Sequence, residues 1–296
     1  MDSGIFTLSL PFILAFMMIG LGLELSIKDF LRIRHHPKAI FLALLSQQVI
    51  MVGVAFLICI LFKPSPLLAV GLMLLAASPG GPTANLISYI FKGDVALNLT
   101  LTTLNCMICT FTLPFIVNLS MHYFLGESQN LIMPVEKIIQ VFLIILVPVC
   151  FGMLIRSLAP KIAVHLNKPM RFFSVIFLFS IFLYALYQER FNITEYFTEI
   201  GLAIALFCLL SFLVGYLIPH LSGISDRQAR ACTFEVGIHN TGIALTIALS
   251  VLSNTTIAIP AGIYTIFMYI FAFAFGYILS KNPQLFNKDN VRSLNS

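Results

Sequence analysis

Residues 76–89 read AASPGGPTANLISY, and their reading decides the fold. The stretch sits inside an apolar segment that runs from about residue 66 to residue 91. A proline removes a backbone donor and its ring clashes with the preceding turn, while a glycine inside a helix costs roughly 1 kcal/mol relative to alanine. Pro79, Gly80, Gly81 and Pro82 in succession therefore stop a helix. Pro82 then suits the first turn of a new one, where its missing N–H has no intrahelical partner to lose. The segment reads as two half-helices joined near its middle.

The rest of the chain says what surrounds that break. Of 296 residues, 59% are hydrophobic and only 10% charged, with a mean hydropathy of +0.99. A soluble protein carries about 25% charged residues. The apolar residues gather in nine segments, at about 5–25, 38–62, 66–91, 94–121, 132–158, 171–190, 198–220, 226–252 and 255–280. About 20 apolar residues suffice for a helix to cross a hydrocarbon layer of roughly 30 Å. The expected fold is an all-α polytopic membrane protein with nine transmembrane helices and no separate soluble domain. The first segment does not read as a cleaved signal peptide: Asp2 precedes it, and the charges of Lys28, Arg32 and Arg34 follow it.

Charge sets the orientation. With the N-terminus outside and nine crossings, only Lys63, Lys137 and Arg190 of the 17 Lys and Arg fall outside. The other 14 reach the cytoplasmic side, the bias that fixes topology, and the C-terminus is cytoplasmic. The net charge of +5 is thus spread over several turns facing anionic lipid, which is not the single basic patch of a nucleic-acid binder. Cys59, Cys106, Cys109, Cys150, Cys208 and Cys232 lie in or beside apolar segments and read as small hydrophobes. The CxxC of Cys106 and Cys109 lacks the second pair that a metal or redox site would use.

A second segment carries a polar interruption. Residues 233–245 read TFEVGIHNTGIAL, where Gly237 and Gly242 bracket His239, Asn240 and Thr241. Counted from the ends, the interrupted helices are the third of the first four and the third of the last four. The helix between the two groups inverts the second group. Two inverted repeats of four helices joined by a linking helix are expected, with residues 1–121 the first repeat, 122–170 the linking helix and loops, 171–280 the second repeat and 281–296 a cytoplasmic tail. Matched interruptions in inverted repeats point to a substrate and ion site at the repeat interface.

Glu235 is the deep acid of that site. It lies about 9 residues into its segment, and Ser78 about 12 into its own, so both sit roughly 14–18 Å deep at 1.5 Å per residue. A charged side chain at the bilayer centre costs roughly 2.5–3.5 kcal/mol on insertion scales. No Lys or Arg lies deep enough to pair with it, so the balancing charge belongs to a bound cation or a proton. Gln47, Gln48, Asn85, Asn98, Thr102, Thr103 and Asn105 bring amide and hydroxyl oxygens to similar depth. Asn98 and Thr102 are four apart and share a helix face. Oxygen ligands of this kind suit a hard cation such as sodium, with a proton on Glu235 as the rival. Glu235 and His239 are also four apart, but two ligands without further His or Cys make a weak zinc site.

The residues also resemble a known family. SPGGPTANLISYIFKGDVALNLTLTT (78–103) is similar to the PGG-x-x-x-N…GD-x-A-L-x…T signature of the bile acid:sodium symporter family, and EVGIHNTGIAL (235–245) to its E-x-G-x-Q-N-x-G-x-A stretch. GLGLELSIKDFLRIRHHPKAI (20–40) and QQVIM (47–51) resemble its opening helices. The resemblance covers nearly the whole chain and is to bacterial members of the family, in a nine-helix form. It implies a core domain and a panel domain, two crossing broken helices in the core, and inward carriage of an organic anion with two sodium ions. It implies a first sodium site at Asn85, Asn98, Thr102 and Glu235, with Ala84 and Asn98 both standing where serine is common. It implies a second at Gln47, Glu235, His239 and the backbone carbonyls of Val236 and Ile238, where glutamine is usual in place of His239. Met268 and Tyr269 replace polar residues of some bacterial members, so the substrate is free to differ from bile acids.

The combined reading is a symporter, not an enzyme, that works by alternating access as a monomer in a bacterial inner membrane. Its cargo is one or two Na+ and a small organic anion such as a bile acid, a sulfated steroid or a small carboxylate. Pro82, Thr83 and Asn240 are the expected substrate contacts, because the half-helix starting at Pro82 presents free N–H groups and the positive end of its dipole. Three alternatives stand beside it: a proton-coupled or sodium-independent organic-anion transporter, a receptor or scaffold, and an intramembrane metalloenzyme.

Overall fold

The computed structural model describes residues 34–126, 135–188 and 190–281, together with Phe12, Ala15, Phe16, Met18, Ile19, Gly20, Gly22 and Leu23 of the first segment. The expected outward N-terminus, the basic residues Lys28 and Arg32, and the tail beyond Lys281 lie outside the described residues. The eight described positions of the first segment are helical. After them come α1 (Pro37–Phe62), α2 (Pro66–Ala77), α3 (Pro82–Ile90), α4 (Val95–Leu125), α5 (Val135–Leu158), α6 (Pro160–Gln188), α7 (Ile193–Leu221), α8 (Asp226–Gly237), α9 (Thr241–Thr246) and α10 (Thr255–Lys281). Every element among the described residues is a helix.

Four of these helices are long and apolar enough to cross a membrane: Pro37–Phe62, Val95–Leu125, Thr194–Leu221 and Thr255–Lys281. The 12 residues of α2 make about 18 Å at 1.5 Å per residue, too short to span alone. The third segment breaks where its prolines and glycines require, α2 ending at Ala77 and α3 starting at Pro82. The eighth breaks without a proline between Gly237 and Thr241, and α9 then passes into a π-helical turn over Ile247–Val251. A second π-helical turn, Ser46–Met51, interrupts α1.

Local chemistry starts and stops these helices. Lys63 takes a left-handed conformation (φ 49°) and ends α1. Asp94 caps α4 by accepting from the Leu97 amide at 3.0 Å. Ser225 and Gln228 form a reciprocal capping box on α8, satisfying two donors that the first turn leaves unpaired. The stretch 160–170 continues as the first turns of α6 instead of a loop, because Ala163 and Met170 are buried while Lys161 and His165 stay exposed. Ala163 and Met170 are one heptad apart on one face and cluster with Leu23 of the first segment.

α2 packs against α4 and α10, and α8 packs against α3, α4 and α7. Ten residues of α2, from Leu68 to Ala77, are buried. The interrupted segments thus lie in the middle of the helices that flank them, and their polar breaks are sealed from the surface.

Candidate functional site

The two breaks meet. Gly80 and His239 form an isolated antiparallel bridge, in which the Gly81 amide donates to the Ile238 carbonyl and the Asn240 amide to the Pro79 carbonyl, both at 2.8 Å. Each interruption therefore satisfies part of the backbone that the other has freed, as apolar surroundings require. Because the Asn240 amide goes to Pro79, the Val236 carbonyl loses its partner four residues on. Asn240 also caps α9, its Oδ1 accepting from the Ile243 amide at 3.1 Å. The Tyr264 hydroxyl of α10 donates to the Gly237 carbonyl at 2.9 Å.

The Glu235 carboxylate lies directly against this bridge. A Cβ placed on Gly80 would come 2.1 Å from Oε1 and 2.6 Å from Oε2, so only glycine leaves room for the acid. Glu235 is 1% exposed. Thr102 Oγ1 donates to Oε2 at 2.6 Å and Asn105 Nδ2 to Oε1 at 3.1 Å. A carboxylate offers about four lone-pair sites, so these two bonds orient the group and leave acceptor capacity over. Among the described residues no ion pair to Glu235 is present, the one described salt bridge being Arg230 to Asp226 at 2.6 Å.

Acceptors without donors accompany the acid. Asn98 Nδ2 donates to the Ala231 carbonyl at 2.7 Å, which fixes the amide and leaves Oδ1 buried with no hydrogen-bond partner. Gln47 Nε2 donates to the Ser78 carbonyl at 3.1 Å, which in the same way leaves Oε1 buried and partnerless. Asn85 Oδ1 is in that position too. A buried polar atom left unpaired costs about 1–3 kcal/mol; the Asn98 oxygen one turn from Thr102, the Gln47 oxygen at the bridge and the Asn85 oxygen on α3 are unpaired acceptors of the type that suits a hard cation.

His239 sits differently. Its ring stacks on Phe207 (5.4 Å between centroids, 7° between planes) and tilts against Tyr264 (5.3 Å, 48°). Gln47 Nε2 lies 2.7 Å from Nδ1; since an amide nitrogen only donates, Nδ1 accepts. His239 Nε2 is buried and without a partner.

The residues expected from sequence thus divide. Thr102 touches Glu235 directly, and Asn98 lies on the same face of α4. Gln47, Ile238 and His239 cluster at the bridge, with the Ile238 carbonyl already accepting from Gly81. Thr83 and Asn240 both lie beside Gly81: a Cβ there would be 3.6 Å from Thr83 Oγ1 and 3.7 Å from Asn240 Cα. Pro82 opens α3 beside them. Three participants had not been assigned to the site: Asn105, visible in sequence as one deep amide among several; Gly80, visible only as a helix breaker; and Tyr264, for which an apolar helix gave no signal.

Comparison with known proteins places this geometry in context. Residues 11–196 match the Sodium Bile acid symporter family. The chain is 26% identical over 254 residues to a chloroplast protein of Arabidopsis thaliana described as a probable sodium/metabolite cotransporter, covering 86% of this chain and 62% of that one. It is 26% identical over 272 residues to the human ileal sodium/bile acid cotransporter, covering 90% and 77%. It is 24% identical over 253 residues to an uncharacterized sodium-dependent transporter of Bacillus subtilis, covering 86% and 77%.

Proposed function

From the premise that the chain belongs to the sodium bile acid symporter family, a family of membrane transporters and not of enzymes, we propose that it couples the inward movement of Na+ to uptake of a small organic anion. A bile acid, a sulfated steroid and a small carboxylate are the cargo classes that fit. The observation that carries this reading is the buried Glu235 carboxylate, held by Thr102 and Asn105 with no described ion pair, together with the partnerless oxygens of Asn98, one turn from Thr102 on α4, and of Gln47, whose amide bonds the Ser78 carbonyl at the first break. Sodium is cargo here. It supplies the positive charge that the buried acid lacks, without the fixed hydrogens of a lysine.

In this proposal Asn85, Asn98, Thr102 and Glu235 hold one ion, with nine helices in two inverted repeats (1–121 and 171–280) around a linking helix, the N-terminus outside and the C-terminus in the cytoplasm. Gln47, Glu235, His239 and the carbonyls of Val236 and Ile238 mark the second ion position. Its amide presents a nitrogen to a ring wedged between Phe207 and Tyr264, which favours one ion over two. One Na+ with a monovalent anion moves no net charge; two would move one charge, worth roughly 2.3 kcal/mol per 100 mV. A tenfold sodium gradient supplies about 1.4 kcal/mol per ion. The anion is received where α3 begins, with the first turn that Pro82 opens, the Thr83 hydroxyl and the Asn240 side-chain NH2 as its contacts.

Glu235→Gln keeps the shape of the side chain and removes its charge. In proteoliposomes with an inward sodium gradient it abolishes sodium-stimulated uptake of a bile acid, a sulfated steroid or a small carboxylate, while the protein still inserts and folds. Unchanged uptake in this variant refutes the assignment. Wild-type uptake that follows pH and ignores sodium selects proton coupling instead.

A further inference from the structure

We propose that Gln48, acting through Asn105, is a positioning residue for the Glu235 carboxylate, so that the π-helical turn of α1 takes part in cation binding. The inference rests on the cation reading of Glu235.

The turn itself is the first observation. In a regular α-helix adjacent side chains point about 100° apart and do not serve one site. Across the wider turn at Ser46–Met51, neighbouring glutamines both reach inward but to different helices. Gln47 bonds the two breaks, at the Ser78 carbonyl and His239. Gln48 bonds α4, at Asn105 Oδ1 (2.7 Å) and Cys109 Sγ (2.9 Å). Turns of this type occur often at functional positions.

The second observation is a hydrogen-bond chain with one direction. Thr112 Oγ1 donates to Gln48 Oε1 at 3.0 Å, Gln48 Nε2 to Asn105 Oδ1 at 2.7 Å, and Asn105 Nδ2 to Glu235 Oε1 at 3.1 Å. A carboxylate only accepts, so it dictates that Asn105 faces it nitrogen first. The Asn105 oxygen then needs a donor, which Gln48 supplies, and the Gln48 oxygen needs another, which Thr112 supplies. Such chains polarise cooperatively in a low-dielectric interior. Without Gln48 the Asn105 amide loses the partner that holds its orientation, and its oxygen is free to turn toward the acid. Thr102 then grips one carboxylate oxygen alone, and the other loses the donor that orients it. Gln48 touches no cargo in this arrangement; it fixes the group that does.

The test uses the purified full chain, with thermal unfolding followed in sodium chloride and in choline chloride at equal ionic strength. Gln48→Met keeps volume and removes the amide. Thr112→Val keeps shape and removes the outer donor, and it serves should Gln48→Met fail to fold. The sodium concentration for half-maximal stabilisation rises about tenfold in Gln48→Met, the scale of one lost bond to a charged group. It rises about threefold in Thr112→Val, whose bond lies two links away, and returns to the wild-type value in Thr112→Ser. The double variant is no weaker than Gln48→Met alone, because both changes break one chain. A half-maximal concentration unchanged in both single variants, with lower stability in choline, makes Gln48 a packing residue and overturns the proposal. Shifts that multiply in the double variant overturn it as well. A wild-type protein that gives no sodium response defeats the cation reading itself, and the relay with it.

Discussion

Gly80→Ala replaces one hydrogen with a methyl group at the tightest place in the site. The new Cβ would lie 2.1 Å from Glu235 Oε1, 2.3 Å from its Cδ and 2.6 Å from Oε2. Carbon and oxygen approach to about 3.3 Å at closest, so one side recedes by about 1 Å. If the carboxylate moves, the 2.6 Å bond from Thr102 and the 3.1 Å bond from Asn105 are lost. A hydrogen bond to a charged group contributes about 1.5–3 kcal/mol, so two losses come to at least about 3 kcal/mol, or a hundredfold in sodium affinity. If the backbone moves instead, the two 2.8 Å bonds that join the breaks open, and the cost falls on folding. Thermal unfolding against sodium concentration separates the two routes. Gly53→Ala is the control, since nothing lies within 4 Å of a Cβ there. The double variant Gly80→Ala/Glu235→Ala removes the atoms that clash; it recovers stability in choline relative to Gly80→Ala but stays insensitive to sodium. A Gly80→Ala protein that keeps wild-type stability in choline and a half-maximal sodium concentration within about twofold of wild type follows neither route and refutes the packing argument.

Two further outcomes follow from the same geometry. Tyr264→Phe removes the donor to the Gly237 carbonyl and leaves a buried acceptor unpaired, which costs about 1–3 kcal/mol; the melting temperature falls while the sodium half-point of the surviving fold stays near wild type. His239→Gln loses the ring stack on Phe207, worth about 0.5–1.5 kcal/mol, yet brings an amide oxygen to the bridge. The variant melts earlier, its sodium dependence becomes steeper, and, under the proposed one-ion stoichiometry of the wild type, uptake of a monovalent anion gains a current, read electrically on proteoliposomes.

The breaks were legible because their causes are local. Pro79 to Pro82 stop α2 and restart the chain as α3 by their covalent structure alone, and Gly237 and Gly242 bracket the second interruption where the helix does end. Glu235 was legible as an outlier, since an acid inside an apolar segment demands compensation. What the sequence did not disclose depends on distances between segments far apart in the chain. Gly80 reads as a helix breaker, yet its lack of a Cβ matters because Glu235, 155 residues later, fills that space. Asn105 was one of several deep amides, and nothing in its neighbours separates the one that bonds the acid from those that join helices. The π-helical turn at Ser46–Met51 contains neither proline nor glycine, so no local signal announces it. The helix through 160–170 buries Ala163 and Met170 beside Leu23, which precedes Ala163 by 140 residues, a contact that the charges of the stretch do not announce.

The assembly of the shell explains how a bound ion would be felt by the whole molecule. Around Glu235 stand Thr102 and Asn105 of α4, Gly80 of the first break and, through Gln47 and Gln48, the π-helical turn of α1. A lysine in the same place would neutralise the acid permanently and tie it to one arrangement. A free cation does so only while these separate elements keep their present distances. A ligand shifts a conformational equilibrium by the difference between its affinities for the two states, and by nothing else. Because the shell is built from several helices that are not joined by covalent structure at the site, displacing any one of them removes a ligand or releases the carboxylate. On the proposed cation reading, affinity would therefore differ sharply between arrangements, which is the condition that coupling an ion gradient to cargo movement requires.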